Sequence, residues 1–108
     1  MNSINQNQAR VLKALAHPTR LQILEILKDG EKCVCEILPA LGLEQSNVSQ
    51  HLAILRQQGI LDFRKEGLRV VYWVKDKRAS DIVDLINQIL VDRLKETETT
   101  LKILEEAK

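Results

Sequence analysis

Apolar residues recur every three or four positions along most of the chain, which predicts a mainly helical fold. Two shorter runs rich in β-branched and aromatic residues predict strands joined in a hairpin. Helices are expected to begin at Pro18 and after the N-cap Ser46, and to end near Gly30, Gly42 and Gly59. The predicted elements are helices over 5–16, 18–28, 34–41 and 46–58, strands over 60–64 and 69–74 with a connection at 65–68, and a final helix over 79–107.

The helices over 34–41 and 46–58, the tight turn between them and the basic hairpin follow one another directly. Two helices joined by a three- or four-residue turn form a helix-turn-helix, whose second helix enters the major groove of DNA. The chain of 108 residues has the size of one domain. We therefore predict a single winged helix-turn-helix domain over residues 1–108, mainly α with a small β-hairpin.

The helix over 46–58 divides into an apolar side and a polar side. At 100° per residue, Val48, Leu52 and Leu55 cluster on one side. The other side is small or amide-bearing, and Asn and Gln can pair bidentately with adenine while Ser bonds several base edges. The candidate DNA-binding residues are Gln45, Ser46, Asn47, Ser49, Gln50 and His51 at this helix, and Arg64, Lys65 and Arg69 on the hairpin.

Each of these features has a structural alternative. The polar helix side is equally typical of a solvated surface, and hairpin charges also protect a sheet edge from aggregation. For His51 the alternative is a structural hydrogen bond. His17, just ahead of Pro18, is expected to bond the local backbone at a helix start rather than a metal ion.

The net charge of +1 hides an uneven distribution along the chain. Residues 46–78 carry seven basic and three acidic side chains, whereas residues 79–108 carry four basic and seven acidic ones. Such asymmetry points to a segment that faces a polyanion beside a segment that faces solvent.

Composition excludes several classes of protein. The hydrophobic fraction of 44% excludes an intrinsically disordered chain. No apolar run approaches the ~20 residues that cross a bilayer, and the polar start is unlike a signal peptide, so we expect a cytoplasmic protein without membrane contact. We expect no enzyme, because the chain lacks a βαβ framework for a Cys-x-Cys reductase and neither histidine has an evident nucleophile partner.

Cys33 and Cys35, with one valine between them, carry the candidate effector chemistry. Two thiolates with one spacer are a common soft-metal pair, although two sulfurs do not complete a site. Lys32 and the nearby helix start favour the thiolate form. On a regular helix the two side chains point roughly 200° apart, so binding both to one ion would require the first helical turn to unwind. The alternative is a pair of small buried hydrophobes.

Three ordered motifs resemble the ArsR–SmtB family of metal-sensing winged-helix repressors. They are ALAHPTRLQIL at 14–24, EKCVCEI at 31–37, which is similar to the metal box usually written ELCVCDL, and NVSQHL at 47–52 followed by LR at 55–56 and GIL at 59–61. The resemblance spans roughly residues 8–94. It implies a homodimer joined through the first and last helices, bound to an operator of a resistance operon and released when a metal or metalloid binds.

The chain departs from the metal-binding patterns of that family. Leu38 stands where arsenite sensors often have a third cysteine, and residues 1–10 lack the cysteine of cadmium and lead sensors. Val83 stands where zinc and cobalt sensors have the first histidine of the last helix. Arsenite or antimonite, held by Cys33, Cys35 and an unidentified third donor, is the effector favoured here. The alternatives are a thiol redox-responsive repressor and a winged-helix module that binds a protein partner.

Overall fold

The computed structural model describes residues 3–107, and the predicted order of helices and hairpin is confirmed. Residues up to Lys77 form one compact unit, and the last helix forms a second. That residues 1–108 make up a single domain stays a prediction. The elements are α1 (Ser3–Leu15), α2 (Pro18–Leu27), β1 (Lys32–Cys33), α3 (Val34–Leu41), α4 (Gln45–Gln57), β2 (Leu61–Glu66), β3 (Arg69–Val74) and α5 (Arg78–Glu106).

The strands form one antiparallel sheet in the order β1-β3-β2, and β2 with β3 makes the wing. Glu66 lies opposite Arg69, so only Gly67 and Leu68 form the turn, and the predicted connection over 65–68 is too long. Gly67 has a φ of 62°, a conformation that glycine adopts without strain at the first position of a type II′ hairpin turn. This tight turn lets the strands pair along their whole lengths.

Strand β1 was not predicted from the sequence. Lys32 lies opposite Tyr72 and Cys33 lies opposite Val71, which adds a two-residue edge to the wing sheet. Two residues are too few to show a periodic pattern, and the pairing depends on a partner strand almost forty positions later in the chain. As a result, the first cysteine belongs to the same sheet as the wing.

The core of the first unit lies between α2, α3, α4 and the sheet. Val48, Leu52 and Leu55 are at most 1% exposed, which confirms the predicted apolar side of α4. Ile23 of α2 and Ile37 of α3 are also fully buried. Burying a side chain of this size is worth about 1.5–3 kcal/mol, so these five residues fix how α4 is held by the helices behind it.

Two helix starts show how the local sequence sets the elements. The His17 side chain accepts a hydrogen bond from the Thr19 amide at 3.1 Å, which confirms its role at the start of α2. The prediction that Ser46 caps α4 is wrong, because the Val48 amide donates to the Glu44 carbonyl at 3.1 Å and closes the first turn two residues earlier. Glu44 is the N-cap and Ser46 lies within the first turn.

Helix α5 leaves a row of large apolar side chains in solvent. None of the described helices is long and apolar enough to cross a membrane. The exposed apolar residues of α5 are Leu85, Ile86, Ile89, Leu90, Val91, Leu94, Leu101, Ile103 and Leu104.

Candidate functional site

The start of α4 presents the polar side chains predicted to contact DNA. The turn between α3 and α4 is short because Gly42, with a φ of 66°, ends α3 in the left-handed conformation. In a helix-turn-helix the N-terminal residues of the second helix contact base edges. All five predicted positions at this end are exposed: Gln45, Ser46, Asn47, Ser49 and Gln50.

Replacing Gln50 by alanine tests this placement. The Gln50 side chain is exposed, so the free energy of unfolding should stay nearly unchanged. Loss of a bidentate base contact should reduce discrimination at one base position of each half-site by ~1–3 kcal/mol. Binding to a set of single-base operator variants measures this, with thermal unfolding as the control. Unchanged discrimination at every position would contradict the placement.

The wing carries the predicted basic residues in two different settings. Lys65 and Arg69 are exposed near the turn, beside Leu68, which is fully exposed at the tip. Arg69 lies 4.0 Å from carboxylate oxygens of both Glu36 and Glu66, at the limit of an ion pair. Lys65 and Arg69 are thus exposed on the wing, and their contact with phosphate groups stays a prediction.

Arg64 lies within β2 rather than at the tip. Its guanidinium donates two hydrogen bonds to the Glu31 carboxylate, at 2.7 and 2.6 Å, and one to Glu66 at 2.6 Å. These bonds raise the pKa of Arg64, and the Arg64 partner lowers the pKa of Glu31. The guanidinium also lies over the Trp73 ring. Arg64 therefore joins the wing to the segment before β1, and its contact with phosphate stays a prediction.

Replacing Lys65 by alanine tests whether the wing contributes DNA affinity that does not depend on the DNA sequence. Lys65 is a point charge, so its loss should weaken binding to operator and to random DNA alike. The slope of log affinity against log salt should flatten by about one unit. Titrations of both DNAs over a salt series measure this, with Lys102→Ala near the end of α5 as a matched control. A loss confined to the operator would contradict the assignment.

His51 lies in a contact between α1, α2 and α4. Its Nδ1 accepts a hydrogen bond from Arg20 Nε at 3.2 Å, and its ring centroid lies 4.3 Å from that of His17. Arg20 also donates to the carbonyls of Lys13 and Ala14 at the end of α1. The structural hydrogen bond expected as the alternative for His51 is therefore present, and its contact with DNA stays a prediction.

This cluster predicts a pH-dependent stability. Burial, with the nearby His17 and Arg20, lowers the pKa of His51. The unfolded chain then binds this proton more readily than the folded one, so stability decreases as pH falls through about 6.5 toward the lower folded-state value. Thermal unfolding over a pH series should show the decrease, and His51→Gln should reduce it. A variant curve identical to the wild-type curve would refute this.

Cys33 and Cys35 meet at the start of α3. Their sulfur atoms form a disulfide bond, with the two Cα atoms 5.0 Å apart. Cys33 is buried at 2% exposure and Cys35 is exposed. Cys33 is the N-cap of α3 and has an extended backbone, with φ −66° and ψ 148°. The expectation that α3 must unwind to bring the sulfurs together is wrong, because Cys33 lies just outside the helix.

The same sulfur takes part in the cap of α3. The Cys35 amide donates to Cys33 Sγ at 2.9 Å, and the Cys33 amide donates to Glu36 Oε1 at 3.1 Å. This is a capping box in which a sulfur replaces the usual hydroxyl. Because Glu36 also lies beside Arg69, the cysteine pair, the start of α3 and the wing form one connected set.

A cleft of about 380 Å³ lies beside the cysteine pair. It connects the start of α3 with the side of α4 predicted to contact DNA and with the tip and inner face of the wing. Its lining residues are Cys33, Val34, Cys35, Leu38, Gln45, Ser49, Leu52, Leu68, Arg69, Val70 and Tyr72.

The donor set determines which ion the pair fits. Within residues 3–107 no three His, Cys, Asp or Glu side chains come together as a metal-binding group. Two sulfurs suit a thiophilic ion that takes two thiolates and completes its coordination from outside the protein. They do not suit a structural zinc site, which takes four protein ligands.

Comparison with known proteins decides the family. Residues 17–62 match the family described as bacterial regulatory protein, arsR family. An uncharacterized HTH-type transcriptional regulator of Methanocaldococcus jannaschii is 39% identical over 85 residues, which are 78% of this chain and 96% of that protein. The chain belongs to the arsR family. This arsR-family member is therefore a DNA-binding transcriptional regulator and not an enzyme.

Solved structures agree with this membership. The crystal structure of Rv0081 from Mycobacterium tuberculosis has a TM-score of 0.80 and 31% identity, covering 89% of this chain and 97% of that one. The solution structure of a homodimeric winged helix-turn-helix DNA-binding domain from Mycobacterium bovis has a TM-score of 0.76 and 32% identity, covering 87% of each chain. The winged helix-turn-helix prediction for this arsR-family regulator is confirmed.

Relatives of this arsR-family regulator have different named roles. The transcriptional activator HlyU of Vibrio cholerae is 37% identical over 92 residues, covering 82% of this chain and 85% of that protein. A probable mercury resistance operon repressor of Streptomyces lividans is 37% identical over 84 residues, covering 78% of this chain and 67% of that protein. The relatives thus include both an activator and a repressor.

Proposed function

We propose that the protein is a dimeric repressor that leaves its operator when a thiophilic metal or metalloid, arsenite or antimonite first, binds Cys33 and Cys35. The observation that carries this proposal is the meeting of the two sulfurs beside a cleft that reaches both α4 and the wing. The name of the mercury-resistance relative supports an effector of this chemical class. Such a repressor works in the cytoplasm, where operator DNA is found.

The cysteine pair is connected to both DNA-contacting elements. Cys33 pairs with Val71 of the wing, and its sulfur accepts the Cys35 amide at the start of α3. This cap is present while the two sulfurs are bonded to each other. An ion held between the two sulfurs would move Cys33 Sγ away from its position in the disulfide and change the cap, and an N-cap is worth ~1 kcal/mol. Release of Glu36 from the capping box then changes its contact with Arg69. Coupling of ~1–3 kcal/mol between two sites shifts affinity about 5–150-fold.

Dimerisation follows from the exposed apolar row of α5. Leu85, Ile89 and Leu94 are at least half exposed, and Leu12 of α1 is as well. Monomeric soluble proteins rarely expose contiguous apolar patches of more than a few hundred Å². We assign these faces to a homodimer interface, as the family resemblance implies. Two recognition helices held about 34 Å apart can then enter successive major grooves.

A second candidate trigger is oxidation of the same pair. Two observations favour it: Cys33 and Cys35 are joined as a disulfide, and no third donor completes a metal-binding group among the described residues. In this reaction hydrogen peroxide takes two electrons and two protons from the two thiols, which form the disulfide while the hydrogen peroxide becomes two molecules of water. The DNA-binding half of the proposal is then unchanged.

A gel-shift titration on the promoter of the protein's own operon tests these alternatives. The reduced protein is titrated with arsenite, antimonite, cadmium, zinc and peroxide. Release by arsenite or antimonite is expected. Release by peroxide alone would establish the redox trigger instead, and release by none would overturn control through this pair. Absence of salt-sensitive DNA binding would leave a winged-helix module that binds a protein. A promoter-fused reporter distinguishes repression from activation.

A further inference from the structure

The cleft beside the cysteine pair has more space than an inorganic ion fills. Its volume of about 380 Å³ compares with the ~150 Å³ of an apolar cavity that binds benzene. Leu38, Leu68 and Val70 supply apolar surface along it, and Arg69 adds a cation. A cleft of this size and lining is typical of a small organic ligand site.

The cysteine pair leaves one bond of a trivalent arsenic atom without a protein donor. Trivalent arsenic forms three bonds, and Cys33 and Cys35 supply two sulfurs. No third donor joins them in a metal-binding group within residues 3–107. The apolar Leu38 side chain lines the cleft next to the pair. The third bond is therefore made to a group that the ligand itself brings, either a hydroxide or a carbon group, and the apolar side chains of the cleft favour a carbon group.

We propose that the effector is a trivalent arsenical with one organic substituent, whose arsenic bonds to Cys33 and Cys35 and whose substituent lies in this cleft. This inference rests on the proposed function, because it names the class of ligand that acts at the same cysteine pair. It assigns the apolar lining, which an arsenite ion does not need, to the recognition of the substituent.

The binding step is an exchange of ligands without oxidation or reduction. It starts from the reduced pair, which a thiol reductant such as dithiothreitol supplies. Two arsenic–sulfur bonds form and two arsenic–oxygen bonds of the dihydroxy arsenical break. Each thiol proton leaves with one hydroxide as water, and the arsenic stays trivalent.

A substituent in the cleft occupies the approach that DNA uses. Gln45 and Ser49 of α4 line the cleft, and both are predicted to contact bases. Arg69 lines it as well and is predicted to contact phosphate. Binding of the organic ligand and binding of the operator therefore compete for the same surface. This competition adds to the effect of the sulfur atoms on the cap of α3.

The inference is tested by comparing the concentrations of phenylarsine oxide and of arsenite that release half of the protein from operator DNA. Reduced protein on operator DNA is titrated with phenylarsine oxide and, separately, with arsenite. We expect half-release by phenylarsine oxide at a concentration at least about tenfold lower, since burial of an apolar ring exceeds the ~1.4 kcal/mol of a tenfold change. Intact-protein mass spectrometry should show one phenylarsenic unit bound with the loss of two hydrogens.

Variants distinguish the contribution of the cleft to phenylarsine oxide binding from the intrinsic affinity of that arsenical for any dithiol. Leu38→Trp fills the cleft and should bring the ratio of the two release concentrations close to one. Leu38→Ala removes part of the apolar lining and should also lower the ratio. Leu41→Trp is the matched control, because Leu41 is another partly buried leucine of α3 that does not line the cleft, and its ratio should stay at the wild-type value.

The outcomes distinguish this inference from the proposed function. Release by neither arsenical would overturn both. Release by both arsenicals at equal concentrations would overturn the inference alone, as would a ratio that both Leu38 variants leave unchanged. Circular dichroism of each variant shows that its helices are intact.

Discussion

A protein with both Cys33→Ser and Cys35→Ser is expected to bind its operator like the wild type and to stay bound when arsenite is added. Serine is close in size to cysteine, and its hydroxyl is a good N-cap acceptor, so the start of α3 is preserved. A hydroxyl is a poor ligand for a thiophilic ion. Since a ligand shifts an equilibrium only by its differential affinity for two states, the variant should act as a permanent repressor.

Gel shifts with and without arsenite measure this response, and thermal unfolding shows whether the fold is kept. Each single variant should be nearly as unresponsive, because one thiolate cannot hold the ion as two do. Val34→Ala, between the two cysteines, is the matched control and should release the operator normally. Release of the double variant at the wild-type arsenite concentration would place the sensing site elsewhere.

The sequence predicts the recognition helix well because its signals are local. Val48, Leu52 and Leu55 recur at helical spacing, and all three are buried. The glycine at 42 marks the end of α3, and the structure has it in the left-handed conformation. Each of these signals lies within the element that it specifies. The predicted N-cap of α4 lies two residues too late, because Ser46 is a better N-cap by residue type than Glu44, whose backbone takes the position.

The geometry of the cysteine pair was not predictable from helical spacing, because Cys33 belongs to a strand. Its extended backbone depends on pairing with Val71 in β3. One signal in the sequence does point to the cap: Glu36 follows Cys33 by three residues, the spacing of a capping box. The cleft could not be predicted at all, since its lining comes from β1, α3 and α4 together with β3 and its turn, which lie much later in the chain.

The role of Arg64 depends on contacts that the sequence does not display. The hairpin pattern grouped it with Lys65 and Arg69 as a charged tip. In the structure its partner Glu31 lies 33 positions earlier, just before β1. A basic residue in a strand is exposed or paired according to which strand lies beside it, and β1 was not visible in the pattern. Arg64 consequently connects the segment before the cysteine pair to the wing.

Introducing charge into the apolar row of α5 is expected to abolish dimerisation and most of the operator affinity. Ile86 and Leu90 lie one helical turn apart and are 43% and 49% exposed. Glutamate at both positions would bury two charges in the proposed interface, which is strongly unfavourable. A monomer has one recognition helix and loses the gain of simultaneous binding to two half-sites, which is about 10²–10⁴-fold for linked modules.

The Ile86→Glu, Leu90→Glu variant should therefore elute as a monomer in size-exclusion chromatography with light scattering. Its affinity for the full operator should fall close to that for a single half-site. Gln88→Glu is the matched control, because position 88 lies between these two residues in sequence but on the opposite side of the helix, and it should stay dimeric. Neither variant introduces a proline or a glycine into α5, so circular dichroism should show unchanged helix content for both. A variant that stays dimeric and keeps wild-type operator affinity would show that the subunits associate through another surface.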